Sequence, residues 1–404
     1  MTIAYRLFFS THKVPGFFFV HSSFSCRFGE TLSFEMLRDF LYQLALTFVP
    51  HIGCIQAKIL ANHFESAENI FKAKKTELER LEGIGPIRAY SIKSFRNFSG
   101  VEKEITFIEK YKISALFLSD KNYPRRLLNC YDSPTMLFYK GNADLNHSKI
   151  ISIIGTRRNS EYGKHVIEEL ISEIESFDVI IVSGLAFGID AIAHRTALKN
   201  LLPTIGVLAH GLDTIYPQEH IPLAKEMIQR GGLLTEFRSH TNPDKHNFPI
   251  RNRIVAGMTD ATIVIETGVK GGSMITAELA NGYNKDVFAF PGRTTDSKSC
   301  GCNHLIRSNK AALITDGKQL AEWMGWVPQP DKHKKNVLQK TLFIQLTENE
   351  KKIITILEER REMHIDEINI KSNINSSAVA AAILNLELQG VINSLPGKMY
   401  TLSV

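Results

Sequence analysis

Ile150-Ile151-Ser152-Ile153-Ile154-Gly155-Thr156-Arg157-Arg158 is the stretch on which the fold turns. A run of isoleucines broken by one small hydroxyl describes a strand buried on both faces, as strands of a helix-covered parallel sheet are. The glycine that ends it leads through a hydroxyl and two arginines to Tyr162-Gly163 and a helical pattern, which is a strand-to-helix turn. The arrangement recurs. Val179 to Ser183, Thr204 to Leu208, Ala261 to Glu266 and Asp286 to Phe290 are further short strands between helical stretches. Residues 106–327 are therefore predicted to form a Rossmann-like, doubly wound parallel α/β sheet.

In such a sheet the ligand crevice lies beyond the carboxyl ends of the strands, so the residues just after each strand carry the functional reading. After the first come Gly155, Thr156 and Arg157; after the second come Ser183, Gly184, Phe187 and Gly188, with Asp190 and His194 on the following helix. Arg251, Asn252 and Arg253 precede the Ala261 strand, and Lys270, Gly271, Gly272 and Ser273 follow it. Phe290-Pro291-Gly292-Arg293 closes the last strand. Glycine lets a phosphate approach the backbone, a helix N-terminus offers free N–H groups, and arginine grips phosphate through two bonds. Repeated sockets on one edge suit a chain of phosphates better than one compact cofactor, and Arg157 is the foremost expected contact. No G-x-G-x-x-G follows the first strand and no G-x-x-x-x-G-K-[ST] occurs, so dinucleotide binding and ATP hydrolysis lose their best support.

Outward from the sheet, residues 34–105 repeat an apolar-x-x-Ile-Gly turn ahead of an alanine-bearing helix: Val49 to Gly53 with Ala57, then Leu81 to Gly85 with Ala89. That is the layout of a helix-hairpin-helix domain that can meet a phosphate, although its flanking Lys58, Arg88 and Lys93 are balanced by many glutamates and a small helical bundle packing on its neighbour is the alternative. Residues 346–404 read as a winged helix, with helices led by Thr347, around Ile365 to Ile370 and from Ser376 to Gln389, then a hairpin ending at Thr401. The helix in the recognition position has no Lys or Arg, which argues against base reading. Residues 328–345, with Pro328, Pro330 and a Lys/His cluster, read as a linker. Residues 1–33, with Phe17-Phe18-Phe19 and no folding period, read as disordered or as a mis-assigned start ahead of Met36.

The chain of 404 residues is 44% hydrophobic and carries a net charge of +6, a mild basic excess that suits a polyanionic partner. No apolar run is long enough for a transmembrane helix. Five dispersed cysteines fit a reducing, cytoplasmic compartment, and Cys300 with Cys302 reads as a solvent-facing thiol pair lacking the further ligands of a zinc site.

Gly155-Thr156-Arg157, Ser183-Gly184-Leu185-Ala186-x-Gly188-Ile189-Asp190, Gly211-Leu212-Asp213 with Tyr216-Pro217, Phe248-Pro249-x-Arg251-Asn252-Arg253-Ile254, Gly272-Ser273-x-x-Thr276-Ala277 and Phe290-Pro291-Gly292 occur in an order that resembles the DNA-processing protein A family (DprA, or Smf). The resemblance covers most of residues 34–404. It implies a protein without catalytic residues, metal or cofactor that binds single-stranded DNA during natural transformation, forms a homodimer and loads the recombinase RecA. It also implies Arg157 as a phosphate clamp with Arg251 and Arg253 lining the same pocket. Many members carry Lys or Arg where this chain has Phe187, so a phosphate contact is either missing there or replaced by base stacking.

Other roles compete. His194 reads as a helix-face histidine bonded to the carboxylate of Asp190, and Arg253 as a buried ion-pair partner. Glu278 and Asp213 are candidates for an acid/base pair. The rival function is a nucleotide N-glycosidase of the lysine-decarboxylase-like fold group, loosely echoed by Gly271-Gly272, Thr276 and Glu278 but lacking that group's tighter G-G-x-G-T-x-x-E spacing.

Overall fold

The computed structural model describes residues 34–327 and 346–402, apart from 359, 361, 362, 390 and 396. The expectations for 1–33 and for the linker 328–345 fall outside the described residues. Two compact units result, one ending at Gln329 and the other beginning at Pro330. No helix among the described residues is long and apolar enough to cross a membrane.

The first unit is built on nine strands: β1 (Ser114–Phe117), β2 (Met136–Gly141), β3 (Ile150–Ile154), β4 (Ile180–Ser183), β5 (Thr204–Val207), β6 (Gly231–Thr235), β7 (Ala261–Val264), β8 (Asp286–Ala289) and β9 (Ala312–Leu313). Their order is β1-β2-β6-β5-β4-β3-β7-β8-β9. From β6 to β9 every neighbouring pair is parallel, whereas β2 joins β6, and β1 joins β2, antiparallel. The chain winds outward from β3 through β4, β5 and β6, then crosses back to β7 on the other side. Strand order reverses between β3 and β7, and a ligand crevice belongs there.

Strand residues alternate between two cores. Ile150, Ile154, Ile180 and Val182 join one apolar cluster, and Ile151, Ile153, Ile181 and Ile263 another. Both faces are thus buried, as the isoleucine run requires. His194, on the helix Ile189–Lys199, lies inside this packing. Its partner is not Asp190: the ring Nδ1–H donates to the Thr204 hydroxyl at 2.7 Å, which donates in turn to the Ile181 carbonyl at 2.9 Å. Burial, aided by the nearby cationic groups, pushes its pKa down to about 3. The Cys300/Cys302 pair is not solvent-facing either. Two positions on the helix Cys300–Arg307 turn side chains to opposite sides, so Cys302 is buried against the Ile265 carbonyl, 3.4 Å away, while Cys300 is partly exposed.

The hairpin repeat forms as its glycines dictate, with helices Cys54–His63 and Gly85–Ser94 and with Ala57 and Ala89 fully buried. The three basic residues Arg88, Lys93 and Lys58 are spent internally. Arg88 donates to His51 O at 3.2 Å and Gly83 O at 3.1 Å, bolting one hairpin turn to the other. Lys93 caps Phe71 O at 2.6 Å and Ala73 O at 2.8 Å. Lys58 reaches the sheet region, donating to Leu128 O at 2.7 Å, Cys130 O at 2.8 Å and Ser133 Oγ at 3.3 Å. Glu104 completes the docking by accepting Ser239 N at 2.9 Å and its hydroxyl at 2.5 Å.

The second unit holds helices Glu348–Glu358, Ile365–Ser372 and Ser376–Leu388 beside a small sheet of β10 (Met363–His364), β11 (Ile392–Leu395) and β12 (Met399–Leu402), in the order β10-β12-β11. Thr347 and Glu350 cap the first helix reciprocally, Thr347 N to Glu350 Oε2 at 2.7 Å and Glu350 N to Thr347 Oγ1 at 3.4 Å. On the recognition-position helix, Ala380, Ala381, Leu384 and Leu388 face solvent. Beside them Ser376, Ser377, Asn385 and Gln389 are exposed, so this helix presents small polar groups but no Lys or Arg.

Two stability tests follow from these contacts. Between pH about 6.5 and about 3 the unfolded chain takes up a proton that folded His194 refuses, so this residue alone removes about 1.4 kcal/mol of stability per pH unit of acidification. Urea unfolding at stepped pH should show a shallower acid slope for His194→Gln than for the native chain; equal slopes would assign the titration elsewhere. Lys58→Met should cost about 1.5–3 kcal/mol in the same assay, because buried carbonyls lose a charged donor.

Candidate nucleic-acid interface

Where strand order reverses, Thr156 N donates to Glu266 O at 2.7 Å and stitches the ends of β3 and β7 together. The Glu266 side chain is fully buried. It accepts Ser160 N at 2.9 Å and also the Ser160 hydroxyl, which itself caps Gly163 N at 3.1 Å. The N-terminus of the helix Glu161–Ile174 is thereby closed by the protein's own groups. Tyr162, from the same turn, donates to Pro291 O at 2.7 Å and ties in the segment after β8.

The turn after β4 is closed in the same way. Asp190 accepts Gly184 N at 3.2 Å and Ala186 N at 3.4 Å, so the amides expected to meet a phosphate already hold a carboxylate. Beneath it lies Arg251, whose guanidinium fills the space a side chain on Gly184 would need and donates to Val207 O. Burial pushes the Asp190 carboxyl up and Arg251 down to about 10, each opposed by the other's charge. Ser183 is buried too, donating to Ile153 O at 2.6 Å.

Arg251 and Arg253 do not line one pocket. Both lie on the helix Asn247–Gly257, and two positions on a helix diverge by roughly 200°. Arg253 points toward the helix-hairpin-helix side, pairing with Glu236 and donating to Asp132 O, and is only 8% exposed. Asp132 also accepts the Tyr283 hydroxyl at 2.7 Å. Burial pushes Glu236 up to about 7 against the pull of Arg253. Asn252, between the two arginines, donates to Gly272 O at 3.1 Å and fixes the glycine turn after β7.

Exposed at this edge are Arg157 and Arg158, Phe187, and the turn Lys270, Gly271 and Gly272. Ser273 shares a 2.7 Å hydroxyl contact with Thr267, and the helix Gly272–Gly282 begins without a side-chain cap. Gly188, at φ +75°, folds the Phe187 turn onto the backbone of Thr156 and Arg157, a conformation and approach that favour glycine. Three participants escaped the sequence reading. Phe248 lies under the Arg157 guanidinium at 5.3 Å, Tyr216 packs on Phe248 at 6.1 Å, and Glu266 closes the first turn. Tyr216 and Phe248 sat within quoted motifs, and a search for aromatics near exposed arginines would have found them. Glu278 and Asp213 form no pair: Glu278 meets Lys310 at 2.8 Å, and Asp213 accepts His240 N at 2.9 Å. No group of three His, Cys, Asp or Glu side chains fit to hold a metal ion occurs among the described residues.

Residues 114–325 match the family described as DNA recombination-mediator protein A, residues 40–105 a helix-hairpin-helix motif and residues 344–398 the DprA winged helix domain. Protein Smf of Synechocystis sp. is 30% identical over 390 residues, covering 89% of this chain and 98% of its own. DNA processing protein DprA of Streptococcus pneumoniae is 38% identical over 241 residues, 56% of this chain and 85% of its own. The X-ray structure of DNA processing protein A from Streptococcus pneumoniae is similar with a TM-score of 0.61 at 32% identity, over 70% of this chain and 97% of that one. Agreement along nearly the whole length of one relative, and across the entire sheet region of the family, means that this chain belongs to the DNA recombination-mediator protein A family, the DprA/Smf proteins.

Proposed function

We propose that the chain binds single-stranded DNA without reading its sequence, along the carboxyl edge of the parallel strands, and acts without chemical turnover. The observation that carries this reading is the division of charge at that edge. Glu266 and Asp190 are buried on internal donors, while Arg157, Arg158 and Lys270 face outward. An outward row of cations, with the two carboxylates Glu266 and Asp190 turned inward, attracts a polyanion. Thr156, Gly188, Gly271, Gly272 and Ser273 let the backbone come close, and Arg157 is the direct clamp. Arg251, Asn252, Arg253, Ser183 and Gly184 position that surface from within.

The family resemblance supplies the wider role: a cytoplasmic homodimer that protects incoming DNA in natural transformation and hands it to RecA. The glycosidase alternative needs a carboxylate free to attack or to activate water beside the sugar. Glu278, its echo in this chain, is engaged by Lys310, which favours the binding role.

Titration with single-stranded and duplex DNA over a salt series tests the proposal. The expected result is tighter single-strand binding whose logarithm falls linearly with that of salt, by about 0.7 per phosphate contacted. Arg157→Ala should weaken it by about 1.5–3 kcal/mol without unfolding. Arg253→Ala should lower stability by about 3–5 kcal/mol, the cost of stranding a buried partner charge. Equal or tighter duplex binding, or an unaltered Arg157→Ala affinity, contradicts the proposal; release of free base from nucleoside monophosphates favours the glycosidase.

A further inference from the structure

We infer that Phe187 and Tyr216 form a stacking lip around Arg157 that holds unstacked bases of the bound strand. The inference rests on the single-strand reading above and adds a contact to the base where that reading has contacts to phosphate alone. Phe187 is 43% exposed and Tyr216 47% exposed. Both rings are propped by neighbours. Phe187 stands edge-on to His220 with centroids 5.0 Å apart, and His220, itself buried, donates from Nδ1 to Leu185 O at 2.9 Å. The Phe187 loop is thus tied to its own imidazole support. Tyr216 leans on Phe248 at 6.1 Å, and Phe248 carries the Arg157 guanidinium at 5.3 Å. Gly188, next to Phe187, packs on the main chain of Thr156 and Arg157. Two loops from different strands therefore bring an exposed ring each to the neighbourhood of one exposed guanidinium.

Keeping aromatic rings in water forgoes the stabilisation their burial gives, and the cation among them makes the surface a poor seat for a purely apolar segment. The occupant that satisfies ring and cation together presents a flat π face within a few bonds of a negative charge. A nucleotide with its base unstacked has that shape. Duplex DNA keeps its base faces covered, so the same two rings give the edge a preference for single strands that phosphate contacts alone cannot supply.

The test compares an oligothymidylate with an abasic oligomer of equal length and phosphate count. The native chain should bind the oligothymidylate more tightly. Phe187→Ala should weaken that binding about 5- to 100-fold while leaving the abasic strand and the salt slope unchanged, since a stacked ring is lost and no charge is. Phe187→Trp should restore it, and Tyr216→Ala, on a separate loop, should give the same split between the two strands. Equal native affinity for both strands, or an equal loss on both in Phe187→Ala, overturns the stacking lip and leaves the phosphate reading standing. Failure of the native chain to bind either strand overturns both.

Discussion

A carboxylate buried in a protein must be met by donors, and this chain places two of them, Glu266 and Asp190, at the carboxyl edge of its parallel sheet. Each consumes amide groups that the strand-to-helix turns direct into the crevice. Glu266 takes the amide of Ser160 together with its hydroxyl, and Asp190 takes the amides of Gly184 and Ala186. The turns become rigid, and the crevice fills with the protein's own anions. Arg251 extends the device downward, since its charge lies against Asp190 and occupies the space left by Gly184. What remains for a partner is the outer rim of cations and rings. Such a rim suits a long flexible polyanion, which needs many modest contacts, better than a compact nucleotide, which needs a deep socket.

The same economy governs the flanking regions. In the helix-hairpin-helix domain, Lys58, Arg88 and Lys93 spend their donors on carbonyls, and Lys58 does so across to the sheet region. In the winged helix, the helix placed for groove entry presents alanine and leucine to solvent. The three hairpin cations singled out from the sequence are thus committed to the fold, and the helix in the recognition position carries no Lys or Arg, so the proposed reading rests on the sheet edge.

The architecture was legible because burial on both faces leaves a plain signature: the isoleucine run of β3 has no polar face to turn to water, and the glycine behind it ends the run at strand length. β6 was not among the strands read, since Gly231-Gly232 gives it no apolar start although both glycines pair with β5 in the sheet. The site was legible in outline and not in direction. A sequence places Asp190 beside a glycine turn but does not tell whether its carboxylate points into that turn or out of it. The Phe248 to Ile254 segment was placed ahead of a strand with no helix assigned to it; as a helix it sends Arg251 and Arg253 opposite ways. Helical periodicity was obscured there by Pro249 and by polar residues that are buried against partners distant in sequence.

The central claim is that the strand lies on the carboxyl edge at the β3/β7 reversal. Photo-crosslinking of the full chain to a single-stranded oligonucleotide bearing bromodeoxyuridine, followed by peptide mapping, tests it most directly. The expected adducts fall within residues 155–158, 187–188, 216, 248 and 270–273. Adducts confined to the hairpin turns near Gly53 and Gly85, or to the helix Ser376–Leu388, would contradict it.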